Sequence, residues 1–216
     1  MRIETDATIP PWLEPLAELA DTARPEQMAP LIWDPPSNAR PAAVLVCFSE
    51  GADGPELLLT ERSNTLRSHA GQISFPGGAT DPGDDGPIGT ALREAQEEVG
   101  LDPATVTVFG TFPPRWLVPS NFAVTPVLGY WRDPHPLDRS TREVYRILQQ
   151  PIERMIDPAN RFTVLHPSGW RGPAFDIGTE VPLWGFTAGV VSALFRLAGW
   201  EKPWDESVTR RHPEVL

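Results

Sequence analysis

Proline sets the first limit on this chain. It occupies 26 of 216 positions and punctuates the sequence from end to end. The ring fixes φ and removes a backbone donor, so a helix must fit between prolines or open on one. Before residue 40 the limit is severe. Pro25, Pro30, Pro35 and Pro36 make that stretch a linker rather than a helix. Residues 12–23, just ahead of it, are a short helix candidate. No internal repeat and no low-complexity tract is visible.

The apolar runs that remain read mostly as strands. Residues 42–48 are compact and apolar, the mark of a buried strand. Residues 56–60 follow across a turn at 51–55, so the pair is expected as a hairpin with a five-residue connection. Residues 72–75 are short and extended and run into Pro76-Gly77-Gly78. A loop dense in Asp, Gly and Pro follows at 81–86. Further strands are expected at 106–112, 123–131, 161–165 and 169–177, and a long helix at 186–197. Strands mixed with two main helices indicate an α/β or α+β domain with a mixed sheet. From residue 201 onward the structural signals are weak.

The most informative element is the helix expected over residues 87–99. Pro87 suits a first helical position, Gly100 suits the end, and Pro103 follows. Ile88, Leu92, Ala95 and Val99 recur at helical spacing and define an apolar face. The same helix carries Arg93, Glu94, Glu97 and Glu98. Residues three and four apart are neighbours on a helix, so Glu94 stands beside Glu97 and Glu98, and Arg93 one turn before Glu97. A like-charge pair at ~4 Å costs about 4 kcal/mol at an effective dielectric near 20. One arginine does not cancel three such charges. The group is either fully solvated or gathered around a divalent cation, and oxygen-only ligands suit magnesium or manganese.

Charge and cysteine content narrow the setting. Eighteen Lys plus Arg against 29 Asp plus Glu leave a net charge of -11, which argues against nucleic-acid binding and against docking on an anionic membrane. An anionic substrate then needs a local positive patch or a metal. Cys47 is the lone cysteine, so an intramolecular disulfide and a multi-cysteine zinc site are excluded and a reducing compartment is expected. The first 15 residues lack the apolar run of a secretory signal. Residues 184–200 are apolar but short and contain Arg196, so they are expected as a buried helix in a soluble, cytoplasmic protein. No G-x-x-x-x-G-K-[ST], H-E-x-x-H or G-x-S-x-G motif is present, and Lys202 is the only lysine.

Arg93-Glu94-Ala95-Gln96-Glu97-Glu98-Val99-Gly100-Leu101 resembles the end of a Nudix box, G-x5-E-x7-R-E-U-x-E-E-x-G-U with U aliphatic. Upstream, the loop from Gly78 to Arg93 is one residue longer than the pattern, and its early Glu has no direct equivalent; Asp84 or Asp85 stands nearest. A second stretch, Leu58-Leu59-Thr60-Glu61-Arg62-Ser63 with Arg67, Gly71 and Phe75-Pro76-Gly77-Gly78, is similar to the signature L-L-T-x-R-S-x3-R-x3-G-x3-F-P-G-G of the coenzyme A pyrophosphatase branch of that family. The likeness continues through Val124-Thr125-Pro126-Val127, Glu143-Val144 with Pro151, and Trp184-Gly185 with Thr187, covering roughly residues 40–199.

The resemblance implies a Nudix fold, a mixed sheet sandwiched between helices. It implies an extension at 1–38, the Nudix hydrolase domain at 39–200 and a tail at 201–216. It also implies hydrolysis of a nucleoside diphosphate derivative with Mg2+ or Mn2+. Glu94 and Glu98 would be the leading metal ligands, with Glu97 and the Gly78 carbonyl beside them, and Arg93 would orient Glu97. Glu97, Glu98 or Glu143 would serve as general base. Arg62 and Arg67 would meet substrate phosphates. Phe75 would pack either on the ligand or in the core, and Trp116 and Trp131 either line a pocket or pack in the interior. His69 is expected as a solvent-facing loop residue. The expected substrate is coenzyme A or acyl-CoA, with ADP-ribose, a nucleotide sugar or a nucleoside triphosphate as the rival. A catalytically silent nucleotide-binding regulator is the reading from another class. Assembly, a homodimer included, stays open.

Overall fold

The computed structural model describes residues 8–20, 22–24, 33–63 and 71–211. Two sheets and four helices form its frame. The larger sheet is built on β1 (Arg40–Gly51), which pairs in parallel with β7 (Phe122–Trp131) from Arg40 opposite Phe122 to Phe48 opposite Tyr130. On its other side β1 meets β2 (Gly54–Arg62) and β4 (Gly77–Ala79), both antiparallel. β3 (Ile73–Ser74) and β8 (Val144–Pro151) flank β2. β5 (Val106–Thr111) and β6 (Arg115–Leu117) flank β7.

Alternation along β1 decides what lies on each face. Ala43, Leu45 and Cys47 point to one side, where α2 (Gly86–Val99) covers them with Ala91, Ala95 and Val99. Burial pushes the Cys47 thiol up to about 12. Val46 and Phe48 point to the other side. There they pack with α1 (Glu14–Ala20), α3 (Ile152–Ile156) and α4 (Gly185–Leu197) through Leu16, Met155, Val191 and Phe195. The result is the expected helix–sheet–helix sandwich. The helix at the N-terminus shares the core of the main sheet.

Several elements differ from the sequence expectation. The β1–β2 hairpin closes with Gly51 opposite Gly54, a two-residue connection rather than five, because both strands extend into the turn. The Gly-Gly turn is itself strand β4. Its backbone lies so close to β1 that a Cβ on Gly77 would overlap the Ala43 carbonyl. The tail is not featureless: β11 (Thr209–Arg211) adds in parallel to β9 (Arg161–Leu165), which pairs antiparallel with β10 (Arg171–Phe175). These three strands form the second sheet. Among the described residues no helix is long and apolar enough to cross a membrane.

Candidate active site

α2 delivers the acidic residues, and its packing separates them. Ala91, Ala95 and Val99 are fully buried, while Ile88 and Leu92 lie at the edge of the contact. The inward face is therefore narrower and made of smaller residues than the sequence implied. Glu98 follows Ala95 by three and Ala91 by seven, so it stands on the rim of that face and is only 4% exposed. Glu97 points away, with a side chain 60% exposed.

The glycines of β4 make room for the inner two acids. Gly77 N–H donates to Glu98 Oε2 at 3.1 Å. A Cβ on Gly78 would stand 2.5 Å from Glu94 Oε1, so only glycine lets that carboxylate lie against the strand. Burial pushes the Glu98 carboxyl up to about 7. The Gly77 hydrogen bond and Arg62 oppose the rise, and the charges of Glu94 and Glu143 add to it. Burial also raises the Glu94 carboxyl, against Arg93. Arg62 Nη1 is 4.0 Å from Glu98 Oε1, beyond hydrogen-bond range.

Arg93 organises the outer side. Its Nε and Nη2 donate to Asp84 Oδ1 and Oδ2 at 2.8 and 3.0 Å. Its Nη1 donates to Glu94 Oε1 at 3.0 Å and to Glu97 Oε2 at 3.3 Å. Of the two acids nearest the early box position, Asp84 is thus the one that faces the arginine. The longer loop is closed by a turn in which Asp81 N–H also donates to Asp84 Oδ2.

Among the described residues no three acidic, His or Cys side chains converge into a ready cage. This corrects the expectation of three carboxylates crowded on one point. Arg93 draws Glu94 and Glu97 to its own side, and Glu97 turns to solvent. What remains is Glu94, the buried Glu98 and the Gly78 backbone, with Glu143 close enough for its charge to act on both acids. Glu143 is held by a turn in which its N–H donates to the Ser140 carbonyl, while Ser140 N–H donates to the Glu98 carbonyl. These are hard oxygen donors around a carboxylate that lacks a close cation. The set fits a magnesium- or manganese-sized ion.

Glu94, Glu98, Gly77, Gly78, Arg62 and Glu143 line a cavity of about 750 Å³, within the range of small-molecule sites. Phe75 also borders it but is 2% exposed and belongs to the larger core. Trp116 lines the cavity, whereas Trp131 is interior. Arg67 and His69 lie outside the described residues. Sequence reasoning missed Trp33, Trp170 and Phe186, which also line the cavity. They carry no shared period: Trp33, outside any strand, bridges to Trp116, Trp170 lies in the connection between β9 and β10, and Phe186 is in α4.

A family profile described as the NUDIX domain matches residues 39–153, more than half of the chain. The chain belongs to the Nudix family. Among its relatives is an "Uncharacterized Nudix hydrolase NudL" of Cronobacter sakazakii, 39% identical over 175 residues, 77% of this chain and 86% of that protein. "Nudix hydrolase 15, mitochondrial" of Arabidopsis thaliana is 36% identical over 192 residues, 82% of this chain and 65% of that one. The fold is shared with the crystal structure of RenU, a Nudix hydrolase from M. smegmatis (TM-score 0.54, 19% identity, 78% of this chain and 91% of that one). This Nudix chain is therefore a hydrolase acting on phosphoanhydride bonds, in a family that generally works with divalent metal ions. The NUDIX match ends at residue 153, yet the cavity wall continues through residues 166–187.

Proposed function

We propose that this enzyme hydrolyses the diphosphate of coenzyme A or acyl-CoA, giving 3′,5′-ADP and 4′-phosphopantetheine or its acylated form. One observation carries the reading. Arg62 and Gly77-Gly78, from the two described ends of the signature, stand against the acidic helix. The signature's Arg62 faces Glu98, its Gly77 donates to Glu98, and its Gly78 lies against Glu94. A signature unrelated to the chemistry would have no reason to abut the acids.

In this reading Glu94, Glu98 and the Gly78 carbonyl would hold Mg2+ or Mn2+, with Glu97 as a further candidate ligand. When bound, such an ion offsets phosphate charge and makes a water easier to deprotonate. Arg93 positions Glu94 and Glu97. Arg62 and Arg67, the two arginines of the signature, bind phosphate oxygens. Glu143 is our choice of general base, because it lines the cavity while Glu97 faces solvent. It takes a proton from the attacking water, whose oxygen bonds to one phosphorus as the bridging P–O bond breaks and the leaving phosphate departs as an anion. The catalytic unit spans residues 39–200, between the N-terminal extension and the tail, and the buried lone cysteine suits the cytoplasm.

The test is a panel of coenzyme A, acetyl-CoA, ADP-ribose, a nucleotide sugar and a nucleoside triphosphate, assayed with magnesium and with manganese. Products are identified by mass. Fastest turnover of coenzyme A or its thioester, with 3′,5′-ADP released, is expected. Preference for another substrate overturns the assignment. Nucleotide binding without turnover of any of them would point to a regulator instead.

A further inference from the structure

A diphosphate needs only part of a cavity of this size. Another part of its wall is built by residues 166–187, beyond the NUDIX match, and its chemistry is mostly aromatic. Trp170 sits in the connection between β9 and β10, and Trp184 immediately precedes α4. Both pack on the small cluster of Phe162, Val164 and Ala174, which leaves each indole half-buried at the cavity. Trp170 lies flat along its own strand: a Cβ on Gly172 would overlap the indole's six-membered ring, so one face is taken by backbone. Trp184 stacks against His166, with centroids 6.2 Å apart and planes 20° from parallel. Phe186 adds a third ring, and Ser168 a polar group.

Among the described residues this wall contributes no aliphatic side chain. The aliphatic lining comes from the main sheet and the β6 side, through Val44, Ile73, Val124, Leu117 and Val118. A flexible acyl or pantetheine chain is matched by aliphatic packing, whereas rings fixed by their own neighbours suit a flat, polarisable heterocycle at low ordering cost. Among the described residues this wall carries no Lys or Arg, which suits a neutral base better than a phosphate. His166 Nδ1 and Ser168 Oγ pair with each other at 2.7 Å, which fixes the imidazole that backs Trp184.

We propose that Trp170 and Trp184 form the nucleobase subsite, taking the adenine-type base of a substrate whose diphosphate lies at Glu94 and Glu98. The proposal rests on the diphosphate reading above but not on coenzyme A as its substrate. It assigns specificity to residues outside the Nudix box.

The test needs no turnover. The metal-free, full-length protein is titrated calorimetrically with adenosine 5′-monophosphate, ribose 5-phosphate and pantetheine. The first two differ only by the base. Adenosine 5′-monophosphate should bind at least about tenfold more tightly than ribose 5-phosphate, the range expected for base–aromatic stacking. That advantage should vanish in Trp170→Leu and in Trp184→Leu and persist in Trp170→Phe, which keeps a ring. Equal binding of the two phosphates by the unmodified protein overturns the proposal, whether or not the variants fold. So does an unchanged advantage in both leucine variants, or a loss confined to pantetheine. A protein that cleaves coenzyme A but fails this titration loses the subsite alone. One inert to coenzyme A that passes it keeps the subsite and loses the substrate assignment.

Discussion

Asp84 receives the Nε–Nη2 edge of Arg93 at 2.8 and 3.0 Å, two parallel charge-assisted bonds across the loop that precedes α2. The Asp84 side chain is only 5% exposed. Hydrogen bonds from Arg93 above all, then from the Asp81 backbone, hold its carboxyl well below the usual carboxylate range. A carboxyl lowered by folding contributes stability that is present above its unfolded pKa and lost as pH falls towards the folded value. Asp84→Asn should therefore lower the denaturant midpoint at pH 7, and the gap to the unmodified protein should narrow as pH drops below about 4. A gap of constant size from pH 7 to pH 3 would show that the ionised pair contributes nothing.

Glu98→Gln separates charge from shape. The amide can still accept from Gly77 N–H, so the fold should persist. Removing a charge that is costly to bury should leave the metal-free melting temperature unchanged or higher. Turnover with magnesium should fall by about 100-fold or more, because a leading ligand is lost. Near-normal turnover would contradict the assignment of Glu98 to the ion.

The two glycines of β4 predict opposite outcomes from the same substitution. Gly78→Ala meets only the end of the Glu94 side chain, which can swing aside; stability should hold while kcat falls roughly tenfold or more. Gly77→Ala meets the Ala43 backbone inside a paired strand and cannot be relieved by a side-chain rotation. It should cost about 1–3 kcal/mol of stability, the range for overpacking. Equal effects of the two on melting temperature would show that Gly78 is a folding residue rather than part of the site.

What was legible in the sequence follows from what is local. The helix of Glu94 and Glu98 announces itself by a 3.6-residue period and by Pro87 and Gly100 at its ends. Strands β1, β5, β7 and β9 announce themselves by apolar runs. β4 does not, because glycine carries no strand propensity and its pairing is set by close approach to β1. β8 does not, because its pairing with β2 leaves Tyr145, Arg146 and Gln149 exposed or half-exposed. The split between Glu98 and Glu97 was equally hidden. It depends on where β4 and Arg93 lie, not on the helix. The aromatic wall joins residues as distant as Trp33 and Trp184, and no spacing rule connects them.

Arg161 marks the second sheet as more than decoration. Its side chain is fully buried at the start of β9, and its guanidinium lies over the rings of Phe175 and Trp204 at 4.2 and 4.6 Å. Nη2 donates to Ser192 in α4 and to Glu201 in the tail. One cation thus ties β10, α4 and the tail together, at a place that lines no part of the cavity. Arg161→Ala would leave Glu201 without its partner and open a void between two rings, costing about 3 kcal/mol. Arg161→Met fills that void and removes a buried charge, so it should cost clearly less. Both should shift the melting temperature while leaving KM near its original value at temperatures where the protein is folded. A large KM change in Arg161→Met would show that the second sheet transmits its packing to the Trp170 wall and is not an independent brace.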